Sequence, residues 1–175
     1  MGVTLLHCTQ KILKELGTPP LVDPSEIPTN PEGIGNWYAN LLRIDRRKCL
    51  MFTNEKTLFT FLVPGVMKQN LQNIHDEFLI SLNLNLQSEG FSLEVITKVL
   101  QEHGEIGFAK TANKHVLGSM NDFVTQYEFL IMRDGGLDNL RRFYYNRAVN
   151  RTPMGALGYK NPLEVLKEML MEGDD

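Results

Sequence analysis

The chain has 175 residues, 42% of them hydrophobic and 22% charged, with a formal net charge of −3. A chain of that size buries roughly 70% of the surface its unfolded form exposes, so one apolar core can hold a single domain over 1–175 without metal or disulfide staples. The mild acidity removes any global electrostatic reason to bind nucleic acid or an anionic membrane, and leaves that role to a local basic patch.

The first element, "VTLLHC", predicts a short buried strand. Thr9 then stands where it can cap the helix "QKILKELG", with Ile12, Leu13 and Leu16 on one face and Gly17 as its stop. The Pro- and Gly-rich stretch at about 18–36 predicts a long loop. "NWYANLLRI", "KCLMFT" and "TLFTFLV" read as three strands joined by the turns "DRR" and "NEK". Turns that short make neighbouring strands antiparallel. The third strand barely alternates, which predicts cover on both faces.

"LQNIHDEFLISLNLNLQ" carries Leu71, Ile74, Phe78, Leu82 and Leu86 near a period of 3.6 and predicts a helix. Ser92 caps the next helix, "LEVITKVLQEH", closed by Gly104, and "EIGFAKT" predicts one more strand. A long helix follows, with Val116, Met120, Phe123, Tyr127 and Leu130 facing a core, ended by "DGG". "LDNLRRFYYNRAVNR" is a further helix, and Pro162 opens the last one, "LEVLKEML", before an acidic tail at about 171–175. The sum is an α+β protein: an antiparallel sheet of four or five strands, covered by helices mostly from the C-terminal half.

Cys8 and Cys49 lie far apart in apolar runs, which predicts buried free thiols in a reducing cytoplasm rather than a disulfide framework or zinc site. The N-terminus lacks the pattern of a signal peptide, Leu6 replaces the Ser or Thr of a myristoylation signal, and no apolar run approaches the ~20 residues of a membrane helix. His7, His75, His103 and His115 form no metal-binding spacing, so no metal is expected, and no G-x-G-x-x-G or P-loop announces a cofactor.

The densest polar stretch is "KTANKHVLGSMND". His115, Ser119 and Asp122 share a helical face at i, i+4 and i+7. Hydrolase triads draw their members from separate elements, and one straight helix spreads three residues over about 10 Å along its axis. The face therefore reads as solvated helix surface. A ligand option stands beside it: free N–H groups at the helix start, with Lys110 and Lys114, could hold a phosphate or carboxylate. Thr111, Asn113, Ser119, Asn121 and Asp122 are its polar companions. The same segment is where an enzyme's pocket would lie, with Lys110 or Asp122 as acid, base or anchor.

Two segments are basic. Arg43, Arg46, Arg47 and Lys48 surround a strand turn, and Arg141, Arg142, Arg147 and Arg151 stud a helix that also holds Tyr144 and Tyr145. Arginines beside aromatics grip phosphates and stack bases when they share a surface.

"LHCTQKILKEL", "NWYANLLRIDRRKCLMFTNEKTLFTFLVPG", "KTANKHVLGSMNDF" and "NRTPMGALGYKNPLEVLKEML" together resemble an uncharacterised bacterial domain family of unknown function. The resemblance runs from Leu5 to about Leu170 and implies a bacterial, cytoplasmic, single-domain protein with no assigned reaction. The family pattern has Asn-Arg-Ser where this chain has Asn113, Lys114 and His115, and often Trp-His-Ala-Asn where it has Trp37, Tyr38, Ala39 and Asn40. Histidine is exchangeable at both places, which counts against His115 as a catalytic base.

With each named catalytic motif absent, the expectation is a binding or regulatory module that meets a protein or nucleic-acid partner through its Arg-rich segments. The enzyme at Lys110–Asp122 is the alternative. A homodimer, joined through the apolar central strands or the last helix, is a third expectation.

Overall fold

A computed structural model describes residues 2–28, 33–137 and 141–171. The acidic tail from 172 onward and residues 29–32 of the long loop lie outside the described residues. Five strands form one sheet: β1 (Thr4–Cys8), β2 (Trp37–Ile44), β3 (Arg47–Asn54), β4 (Thr60–Pro64) and β5 (Ile106–Lys110), in the order β4-β3-β2-β1-β5. The helices among the described residues are α1 (Gln10–Glu15), α2 (Lys68–Gln72), α3 (Ile74–Ser88), α4 (Leu93–Glu102), α5 (Lys114–Arg133), α6 (Arg142–Asn150) and α7 (Pro162–Met171).

The expected α+β class and strand number stand, but the sheet is mixed. β2, β3 and β4 form the antiparallel meander their short turns dictate. β1 instead pairs parallel with β2 on one side and with β5 on the other. The physical reason is the length of the connections: a chain that leaves β1 through α1 and a long loop can re-enter the sheet in the same direction, which a tight turn cannot do. Helices from the N-terminal half also take a larger share of the cover than expected.

Side-chain alternation sorts the sheet into two faces. Leu6, Cys8, Trp37, Ala39, Leu41, Leu50, Phe52, Phe61 and Val63 pack against α1, α2, α3, α4 and α7. Tyr38, Leu42, Ile44, Cys49, Met51 and Leu62 pack against α5 and α6. The first face centres on Trp37, Phe52, Phe61 and Phe78, whose rings lie 5.1–6.2 Å apart. Burying such a side chain contributes roughly 1.5–3 kcal/mol. The central strands are thus covered on both faces.

β4 ends the sheet on one side, and α6 closes that edge. Asn146 and Asn150 turn their carboxamides to the Leu62 and Thr60 peptide groups. Three further links reach from α6 round the edge to α3: Asn146 to Asn85, Arg147 to Ser88 and Arg151 to Glu89.

Cys8 pairs with Ala39, so β2 runs on from Asn40 to Ile44 past the end of β1. This overhang of the β2–β3 hairpin carries the turn Asp45-Arg46, both at positive φ (52° and 66°). A two-residue turn with both φ values positive matches the twist of a hairpin. The Asp45 carboxylate accepts from the Leu137 N–H at 3.0 Å, tying the turn to the end of α5.

Candidate functional site

The polar stretch at the start of α5 is a capped helix. Asn113 Oδ1 accepts from the N–H groups of His115 (2.9 Å) and Val116 (3.2 Å), and the Asn113 N–H donates to the Tyr38 hydroxyl at 3.0 Å. The donors an anion would need are largely in use. The side chains also diverge. Lys110, Lys114, Asn121 and Asp122 are exposed, Thr111 and Asn113 are half-buried, and Ser119 is buried. Ser119 packs at the margin of the apolar stripe with Met120 and Phe123. The His115–Ser119–Asp122 face expected to be solvated is therefore wet only at its two ends.

The sheet splits the first basic segment: Arg47 follows Cys49 and Met51 on the face of α5 and α6, while Arg43 and Lys48 are turned away from it. Arg43 and Lys48 follow Leu41 and Leu50 on the face that α1 covers, whereas α6 lies against the other face. Arg46 occupies the exposed hairpin tip, and Arg47 is exposed beside it. On α6, Arg147 donates to Ser88 Oγ at 2.6 Å, and Arg151 makes a two-pronged pair with Glu89 at 3.0 and 2.8 Å. Glu89's side chain is only 2% exposed, so this pair is part of the edge closure. Arg142 sits over the Phe143 ring at 4.7 Å, and Arg141 precedes the helix at its exposed N-terminus.

A different gathering appears where α1 meets the hairpin overhang. Lys11, Lys14 and Glu15 of α1, Arg43 of β2, Lys48 of β3 and Lys68 of α2 line a groove of about 780 Å³, together with Leu41 and Leu42 of β2. The helix supplies Lys11 and Lys14 because Ile12 and Leu13 must face the core, which turns their neighbours outward. Arg43 and Lys48 are direct cross-strand partners. Like charges so placed repel. Glu15 offsets only one of them, meeting Lys48 Nζ at 3.2 Å with both side chains about a third exposed. Among the described residues, Lys48 alone of the five cations is ion-paired.

Sequence reasoning found Arg43 and Lys48 but missed Lys11, Lys14 and Lys68. A neighbouring cavity of about 560 Å³ shares Arg43, but there Asp45 and Glu128 balance Arg43 and Arg46. It has no net excess of cations to draw an anion.

Burial shapes the remaining titratable groups. It pushes the Cys8 thiol up to about 12 and raises Cys49 as well. His103, fully buried, is held below its ordinary range, chiefly by desolvation. Its Nε2 accepts from Trp37 Nε1 at 2.7 Å, which leaves Nδ1 to donate to the Val99 carbonyl at 2.7 Å. Among the described residues no cluster of His, Cys, Asp and Glu has the makings of a metal site, and no helix is long and apolar enough to cross a membrane.

Residues 5–165 match the model of a domain family of unknown function, DUF6933, and the chain belongs to that family. No curated protein and no solved structure matches it.

Proposed function

We propose that the protein is a non-catalytic binding module whose cationic groove holds a phosphate-bearing partner. The observation that carries this reading is the convergence of Lys11, Lys14, Arg43, Lys48 and Lys68 on one cavity in a chain of net charge −3. Such a gathering costs stability through self-repulsion unless an anion lies among the charges. The groove also has the dimensions of a ligand site rather than of a flat contact face. An enzymatic reading at Lys110–Asp122 draws no comparable support, because its helix-start donors serve the cap and its side chains point apart. The family resemblance supports a bacterial cytoplasmic setting, and the two buried, unpaired thiols support a reducing one.

The test is retention on phosphocellulose while salt is raised. An acidic protein has no bulk reason to adhere, so retention of the wild type reports a local patch. The double variant Lys14→Glu/Lys68→Glu should elute earlier with an unchanged circular dichroism spectrum. Equal elution of the two proteins would overturn the reading.

A further inference from the structure

We infer that the ligand of the cationic groove is a compact polyphosphorylated small molecule, and that Glu15 is the side chain it displaces from Lys48. This rests on the groove being an anion site at all, and it selects among anions by shape and lining.

The groove's volume, about 780 Å³, lies within the range of roughly 300–1,000 Å³ typical of small-molecule sites. Its cations come from α1, α2, β2 and β3 and surround one cavity, so several of them can reach one cluster of phosphates. Grooves for single-stranded nucleic acid pair a basic track with aromatic platforms on which bases stack. Among the described residues the lining holds no aromatic side chain; its apolar members are Leu41 and Leu42. Of the exposed aromatics, Phe129 and Tyr144 belong to α5 and α6, which pack on the opposite face of the sheet, and Tyr159, in the loop before α7, is not in the lining either. The groove can therefore hold phosphate groups but lacks the means to stack a run of bases.

Among the described residues Glu15 is the only carboxylate in the lining. Its pair with Lys48 is single-pronged and open to water, with side-chain exposures of 36% and 34%. Pairs of that kind hold weakly. Phosphate oxygens can take Glu15's place on Lys48 and at the same time relieve the repulsion between Lys48 and Arg43. Glu15 is then an internal competitor that sets the affinity of the empty groove.

Isothermal titration of the full chain tests both parts. The probes are inorganic tripolyphosphate, a nucleoside triphosphate, inositol hexakisphosphate and a 20-nucleotide single-stranded DNA, all at one fixed ionic strength. The expected result is tighter binding of at least one clustered-phosphate probe than of the DNA. Whichever of the three binds most tightly identifies the source of the phosphates. Glu15→Gln should tighten that probe by about two- to fivefold, the equivalent of losing one exposed ion pair. DNA that binds as tightly as every other probe, with binding lost in Lys14→Glu/Lys68→Glu, would overturn the ligand class and leave the groove intact as an anion site. Unchanged affinity in Glu15→Gln would overturn the competitor role. No binding by any probe would overturn the groove reading itself.

Discussion

Asn150 meets Thr60 as a neighbouring strand would. Its Oδ1 accepts from the Thr60 N–H at 2.9 Å, and its Nδ2 donates to the Thr60 carbonyl at 2.7 Å. Asn146 repeats the contact on Leu62, at 2.9 and 3.5 Å. The match is geometric: four residues of helix rise about 6 Å, and two residues of strand rise about 6.6 Å. A helix thus supplies the hydrogen bonds that β4, as an edge strand, would otherwise leave open.

Replacing Asn150 by Ala strands two buried backbone groups of Thr60. At about 1–3 kcal/mol for each unsatisfied group, a loss of roughly 2–6 kcal/mol is expected. Urea unfolding should show a lower midpoint at an unchanged slope. A variant within about 0.5 kcal/mol of the wild type would show that the edge closes without this contact.

The Arg151–Glu89 pair should behave differently from the groove cations. Arg151→Leu leaves a carboxylate on a side chain only 2% exposed without its partner. The expected cost is about 1–3 kcal/mol, below that of a fully buried pair because Arg151 itself is 47% exposed. Phosphocellulose retention should not change. Reversal at Lys14 and Lys68 should do the opposite, lowering retention without lowering the urea midpoint.

Acid should weaken the fold through His103. Burial is the largest influence on this imidazole and disfavours its charged form, as does His75, while the Val99 carbonyl and Glu102 act the other way. The unfolded chain therefore takes up a proton, at its ordinary value near 6.5, where the folded chain does not. His103 leaves stability whole above about pH 6.5 and erodes it as pH falls below that value. Trp37, the only tryptophan, donates to His103, so its fluorescence follows the transition. Urea midpoints should fall between about pH 8 and pH 5.5, and a His103→Asn variant should show a flatter dependence from a lower start. Parallel slopes would assign the effect to other groups.

Neither cysteine should react in the folded protein. With the Cys8 thiol pushed up to about 12 and Cys49 also raised, both buried, the thiolate needed for attack is scarce and enclosed. A disulfide exchange reagent near pH 8 should find almost no thiol until urea is added, and then both. Rapid reaction of either in native buffer would contradict the packing described.

Much of the architecture was legible in the sequence where the signal is local. The turns at Asp45-Arg46 and Asn54–Thr57 lie between apolar runs, so the meander could be read directly. Ser92 is an N-cap as expected, its hydroxyl accepting from Val95 at 3.3 Å, whereas Thr9 begins α1 without a side-chain cap bond. The parallel seam was not legible: His7 meets the Lys110 carbonyl 103 residues away, and no local pattern encodes such a pairing. The site was half visible for the same reason. Arg43 and Lys48 flank one turn, whereas Lys68 joins them only through the packing of α2. Arg147 and Arg151 looked like ligand-binding groups because a sequence does not show that Ser88 and Glu89 stand opposite them.

The same seam bears on the order in which the protein assembles. The meander from Trp37 to Pro64 closes through short turns, at little cost in chain entropy. β1 must wait for β5, because its far side pairs only with residues Ile106–Lys110. Contacts that distant in sequence slow folding. In pulse-labelling hydrogen exchange, amides of β3 and β4 are expected to gain protection before those of β1 and β5. The strand that precedes the other four in the sheet is then among the last to be enclosed, and until then its run from Leu5 to Cys8 is left to water or to a chaperone.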